Sequence, residues 1–247
     1  MWTFLYQLAS PKRFYERAYR LMIWFGVLSV LFLLVGLIWG LFFSPPDYQQ
    51  GDIFRIIYIH VPCAFMSMLL YAVLGFLSVL LLVWRIKLAG IMLSIIAEVG
   101  AVMTLLALLT GSLWGKPMWG TFWVWDARLT SELILFFLYA AIIATHHAYE
   151  AKDQADKLVA ILSLVGLVDL PIIHYSVYWW NTLHQGQTLS LFSKPKIHIS
   201  MLPPLLIVLL GLGLFCAWVI LYHARQAILI REKRQQWVRA VMEELPC

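Results

Sequence analysis

Charge is what this 247-residue chain lacks most: 13% of its residues are Asp, Glu, Lys or Arg, and 62% are hydrophobic. An ordinary soluble domain carries about 25% charged residues, so a soluble globular fold is excluded. Cysteine is nearly absent, with three residues. Cys63 and Cys216 lie inside apolar runs and Cys247 is terminal. No C-x-x-C or C-x-x-C-H spacing occurs, which removes disulfide scaffolds, thiol-redox motifs and covalent haem attachment. The stretch Gly111-Ser-Leu-Trp-Gly-Lys116-Pro117 is too short for a phosphate loop and lacks the Ser or Thr that would hold magnesium, so the chain is not expected to hydrolyse ATP. Neither H-E-x-x-H nor G-x-S-x-G appears, which argues against a membrane protease or esterase. A soluble domain, a low-complexity linker and a short repeat are missing as well. The net charge of +5 is no sign of a nucleic-acid surface, because in a membrane protein the placement of charges outweighs their sum.

What is present is a series of long apolar runs. A helix rising about 1.5 Å per residue needs roughly 20 apolar residues to cross a bilayer. Six stretches qualify, near 21–43, 61–84, 88–113, 130–147, 158–180 and 200–223. The first is too long for a signal-peptide core and has no small-residue cleavage pattern after it, so it is expected to be retained. Alternate connections carry Lys12, Arg13, Arg17 and Arg20; Arg85 and Lys87; Lys152 and Lys157; and Arg225, Arg231, Lys233, Arg234 and Arg239, thirteen of the eighteen basic residues. The positive-inside rule then puts both termini in the cytoplasm. The expected fold is all-α: a polytopic membrane protein with six transmembrane helices. Residues 1–20 form a cytoplasmic segment, 21–223 the six-helix domain with an outer loop at 114–130, and 224–247 a basic cytoplasmic tail. That tail reads either as an amphipathic helix on the lipid surface or as a solvated charged end.

The opposite side collects the chemistry. Its loops are 44–60, with Arg55 and His60; 114–129; and 181–199, with His184, Lys194, Lys196 and His198. The middle loop brings together Trp114, Trp119, Trp123 and Trp125, interrupted by Gly115, Pro117 and Gly120 and followed by Asp126 and Arg128. Tryptophans gather at bilayer interfaces as a belt, so rings near a helix end need no ligand. An ordinary belt, however, requires neither the helix breakers between the rings nor the charges after them. Four indoles otherwise make a flat, polarizable platform suited to a large planar ligand such as a porphyrin.

His60 and His184 sit on different helices at this same side. Two such imidazoles can face each other across a bundle and bind iron from both faces of a porphyrin. His60 falls where an apolar helix begins, with Pro62 in its first turn. His198 is the rival ligand, His174 is expected to be held within the bundle, and His146, His147 and His223 fall at the cytoplasmic ends. Haem propionates require cationic or donor partners, and Arg55 and Arg128 are the outer arginines available. Arg128 has the alternative of pairing with Asp126 or with Glu132 one turn on. Glu98 and Asp169 lie within spans, where an ionisable side chain usually faces the interior.

The run Trp-Gly-x-x-Trp-x-Trp-Asp-x-Arg-Leu-Thr, filled by Trp119 through Thr130, resembles the "WWD" signature of the haem-handling membrane proteins of cytochrome c biogenesis. Within that superfamily the length, the six spans and the segments Arg55-Ile-Ile-Tyr-Ile-His-Val-Pro, Gly111-Ser-Leu-Trp-Gly-Lys-Pro-Met-Trp-Gly and Pro171-Ile-Ile-His-Tyr-Ser-Val-Tyr-Trp-Trp-Asn-Thr-Leu-His-Gln-Gly are most similar to the haem exporter protein C (CcmC) family. The resemblance covers nearly the whole chain. It implies that His60 and His184 are axial ligands of non-covalent haem b, and that the tryptophan loop holds the macrocycle at the periplasmic surface of the bacterial inner membrane. It further implies delivery to the haem chaperone CcmE, aided by the small membrane protein CcmD and in a complex with the ABC subunits CcmA and CcmB. A binding and transfer protein is expected rather than an enzyme. The alternatives are a haem-translocating permease and a membrane lyase that itself forms the haem–chaperone bond.

Overall fold

A computed structural model describes residues 10–184, 186 and 197–244; Lys194, Lys196 and Cys247 lie outside the described residues. Six segments are long and apolar enough to cross a membrane, and no strand occurs among the described residues. The elements are α1 (Pro11–Ile38), α2 (Ile57–Trp84), α3 (Lys87–Trp119), α4 (Ala127–Ala148), α5 (Lys152–Gly166), α6 (Asp169–Trp179), α7 (Leu202–Arg231) and α8 (Gln236–Glu244). An even number of spans returns the chain to the face it left. Accordingly Tyr15 near the start meets Trp237 near the end, ring centres 5.7 Å apart.

Helices α2 and α3 form the centre, with α4, α5 and α7 around them, α6 packed on α4 and α1 on the outside of α7. Without a hydrophobic force between helices in lipid, close packing at small residues holds them together. A Cβ on Gly36 would stand 2.9 Å from the Val208 backbone nitrogen, and one on Gly211 2.9 Å from that of Leu33, so α1 and α7 touch backbone to backbone. Outward-facing side chains such as Trp24, Val27, Phe76 and Leu109 remain exposed, as lipid requires. Glu98 is exposed too, contrary to the inward placement expected of a carboxylate inside a span.

Three local departures from the sequence expectation position the site. At 33 residues, α3 rises about 50 Å, well beyond the roughly 30 Å hydrocarbon core. The helix therefore runs on through Trp114, Pro117 and Trp119, which the sequence placed in a loop, and stops at Gly120 with φ 76°. Only glycine takes that left-handed cap without strain. Pro117 sits in the last turn, where one lost hydrogen bond is tolerated.

The span expected as one helix at 158–180 is two, broken at Leu167 and Val168. Pro171 has no N–H to bond the Leu167 carbonyl, and its ring crowds that position, so the chain turns there and restarts at Asp169. Finally α2 begins earlier than expected, after the 3-10 turn Asp52–Ile56, which leaves Pro62 in the second turn and His60 in the first. The basic tail is partly helical: α8 docks on the bundle, with Val238 fully buried and Trp237 against Tyr15.

Candidate functional site

The His60 ring lies against α3 because α3 has no side chain in its way. A Cβ at Gly111 would come within 2.9 Å of His60 Cε1. One turn earlier, the Ala107 carbonyl oxygen and the Thr110 hydroxyl oxygen each stand 3.1 Å from His60 Nδ1. A carbonyl only accepts, and the Thr110 hydroxyl donates its own proton to the Leu106 carbonyl at 2.6 Å. Nδ1 therefore carries the hydrogen and donates it, which leaves the Nε2 lone pair for another partner.

His184 reaches the same place from beyond α6. Its backbone N–H donates to the Thr182 hydroxyl at 3.0 Å, in a turn that follows the end of the helix at Trp179. The two imidazole centres are 6.3 Å apart with planes tilted by 40°. Two metal–imidazole bonds of about 2 Å each, with half a ring at either end, also add to about 6 Å. No cluster of three or more His, Cys, Asp or Glu residues suited to a bare metal ion occurs among the described residues. Two facing imidazoles thus suit a metal already ligated in its own plane, as in a porphyrin.

Around the histidines lies a cleft of about 140 Å³, lined among others by His60, His184, Trp114, Trp119, Trp123, Arg128 and Glu132. Trp114 is a buried wall: its ring meets His60 edge-on at 5.7 Å and Phe54 at 5.6 Å, and its indole N–H donates to Gln50 Oε1 at 2.8 Å. Trp119 folds back over Gly115 and faces His184 at 6.3 Å. Trp123 lines the cleft with a buried indole nitrogen that has no hydrogen-bond partner among the described residues. Burying such a donor unpaired is costly, so an acceptor in the cleft would relieve it.

Three nominated residues do not line the cleft. Trp125 is 76% exposed, edge-on to Trp123 at 5.4 Å. Asp126 caps α4, accepting the Leu129 N–H at 2.8 Å. That bond satisfies one of the orphan donors at a helix start and explains the acid at this position without a ligand. Arg55 is drawn off by Asp52 at 3.0 Å and by the Leu41 carbonyl. Arg128 forms no ion pair with Asp126 or Glu132; its guanidinium donates to the Ile173 carbonyl of α6 at 2.6 Å, tying that short helix to α4. The rival His198 caps its own turn, with Nδ1 2.7 Å from the Ser200 hydroxyl, and does not line the cleft. His174 packs edge-on against Tyr175 and likewise stays out.

Sequence reasoning missed Thr110, Gly111 and Gln50 as site residues and saw Glu132 only as an ion-pair partner. Gly111, three residues before Trp114, is a helix-interior glycine, which signals a close approach. Thr110 and Gln50 carry no such signal.

The Heme exporter protein C family model matches residues 4–239. Heme exporter protein C of Escherichia coli is 50% identical over 238 residues, 96% of each chain. The protein of that name from Haemophilus influenzae is 45% identical over 245 residues, covering 99% of this chain and all of its own. A putative cytochrome c biosynthesis ccmC-like mitochondrial protein of Marchantia polymorpha is 42% identical over 206 residues, 83% of this chain and 85% of its own. Six spans, two facing imidazoles beneath an indole wall and this similarity along nearly the whole length lead to one conclusion: the chain belongs to the haem exporter protein C family.

Proposed function

We propose that this multi-pass protein of the bacterial inner membrane, a haem-handling protein of cytochrome c biogenesis, holds haem b non-covalently between His60 and His184 and presents it at the periplasmic face to the chaperone CcmE. The observation that carries this is the 6.3 Å spacing of the two rings together with the Nδ1 grip on His60, which leaves the Nε2 lone pair for a metal. A ligating histidine ordinarily donates its second nitrogen to a carbonyl or carboxylate, and the Ala107 carbonyl does that here.

The cleft supports presentation rather than burial. Ligand pockets that enclose a drug-sized molecule run to about 300–1,000 Å³. The cleft's volume of about 140 Å³ is smaller than that, so a macrocycle held between the two histidines would leave an edge outside it, near the exposed Trp125. The unpartnered Trp123 N–H and the Arg128 guanidinium are the donors for a propionate. Two imidazoles leave no open position for oxygen, so the protein keeps its cargo unreactive until a partner takes it.

We further assign CcmD, CcmA and CcmB as partners in the same membrane complex, with both termini cytoplasmic. The test is an absorption spectrum of the purified protein with haem, oxidised and reduced, followed by transfer to CcmE with no other component present. A low-spin bis-histidine spectrum that is lost in His60→Ala and in His184→Ala is the expected result. Both single variants keeping an unchanged spectrum would overturn the assignment, and transfer that also forms the chaperone bond would move the protein to the lyase class.

A further inference from the structure

The six apolar runs hold no Lys or Arg and three acids: Glu98, Glu132 and Asp169. Glu132 and Asp169 are buried in the bundle, as a membrane demands of a carboxylate. Glu98 is the exception. It is exposed, and it makes no hydrogen bond or ion pair among the described residues. Position 98 is 11 residues past Lys87 and 16 before Trp114, about 16 and 24 Å along α3. Lys and Arg reach a membrane surface from within by stretching long stems, whereas the short stem of Glu cannot cover such a distance.

The face of α3 around Glu98 changes character at this point. One and two turns earlier, Ile95 and Ile91 are 6% and 4% exposed and belong to the same apolar core as Ile220 and Ile228 of α7. From Glu98 on, Val102, Leu105, Leu109 and Leu113 are each between 42% and 60% exposed. Steps of three and four residues put them on one stripe. This chain therefore closes the face toward Lys87 by itself and leaves the rest uncovered, with a carboxylate at the boundary. Ala107 and Gly111, which hold His60, lie on the opposite face of the same helix.

We propose that this stripe of α3 is the docking surface for a transmembrane helix of another subunit, and that the helix carries a Lys or Arg at the depth of Glu98. This rests on the membrane partners assigned above. Lipid tails satisfy the leucines but not the carboxylate, so it is the unmatched charge, not the apolar stripe, that calls for a partner. A second copy of this chain is not the occupant. A symmetric contact through the stripe brings Glu98 against Glu98, and the six apolar runs contain no cation to offer. With the partner in place α3 is a shared wall, gripping His60 on one face and the neighbouring subunit on the other.

The test uses the full chain produced with CcmA, CcmB and CcmD in native membranes. Co-purification of the membrane partners is expected to fall about tenfold in Glu98→Leu, the scale of one polar contact between membrane helices, and to be kept in Glu98→Asp. The low-spin haem spectrum and the Tm of the separately purified chain should not change, because Glu98 lines no part of the cleft. A photoreactive benzoylphenylalanine in place of Leu105 should form an adduct with a partner subunit, and Glu98→Leu should abolish it. The cation is identified by charge exchange: Glu98→Lys removes co-purification, and replacing one Lys or Arg within a partner span by Glu restores it. Undiminished co-purification in Glu98→Leu would overturn the proposal, as would adducts with lipid or a second copy alone, or restoration by none of the exchanges. A lower Tm with loss of haem in Glu98→Leu would overturn it too, by making Glu98 a structural residue of this chain. A wild-type chain that brings down none of the three subunits would instead sink the partner assignment, and this surface with it.

Discussion

Gly111 and His60 share one space: the imidazole Cε1 lies 2.9 Å from where a Cβ of residue 111 would be. That separation is shorter than real side chains show, and the neighbour is a ring held by two hydrogen bonds. Gly111→Ala is therefore expected to push His60 off the Ala107 carbonyl and lower the fraction of protein purified with haem. In a helix interior the same change gains about 0.5–1 kcal/mol from reduced chain entropy. Stability kept or raised while haem falls would mark the effect as local to His60; unchanged haem content would refute it.

Thr110 fixes the same ring from the other contact. Thr110→Val keeps the shape and removes the oxygen, leaving His60 Nδ1 with Ala107 alone. Loss of such an outer partner typically costs about 10–100-fold in affinity for the bound metal group. Haem titrations of the variant should weaken within that range while the spectrum stays low-spin. Thr110→Ser, which retains the hydroxyl, should restore most of the affinity.

Trp123→Phe separates the two roles of that indole. The ring face is kept and the unpartnered N–H is removed. If the N–H meets a propionate, haem binding weakens, and haem dimethyl ester, whose propionates are neutral, binds wild type and variant alike. Equal loss for both forms of haem would point to packing instead.

Asp126 is a cap before it is anything else. Asp126→Ala should cost about 0.5–2 kcal/mol of stability, read as a lower Tm in a thermal melt. Asp126→Asn and Asp126→Ser, which still accept from the Leu129 N–H, should recover it. A variant with unchanged Tm that fails to transfer haem would give the acid a direct role with the partner.

At the opposite face Arg231 closes α7 onto α5 through buried Asp156. Arg231→Ala strands that carboxylate, and breaking a buried pair from one side costs about 3–5 kcal/mol. Asp156→Asn combined with Arg231→Ala should be milder than the single change. Parity of the double and single variants in a denaturant melt would show that the pair contributes little.

The sequence alone determined the environment and the candidates. Six apolar runs and the alternation of basic loops fix the class, because bilayer thickness sets a length that can be counted, and grouping of the interesting residues on one side follows from span parity. His60 and His184 were legible as a pair for that reason, and Trp114, Trp119 and Trp123 were legible by type. Arg55, Asp126 and Trp125 looked equal to them in one dimension. Tertiary structure separated the two groups: Arg55 meets Asp52, Asp126 caps α4 and Trp125 points outward, contacts that hydropathy does not encode. It also decided the 6.3 Å gap, since His60 and His184 stand 124 positions apart in the chain and only the packing of α2 against α3, with α6 tied back through Arg128, brings them together. The break at Leu167 has a local cause, Pro171 four residues on, whereas which buried oxygens lack partners depends on neighbours that arrive from distant parts of the chain.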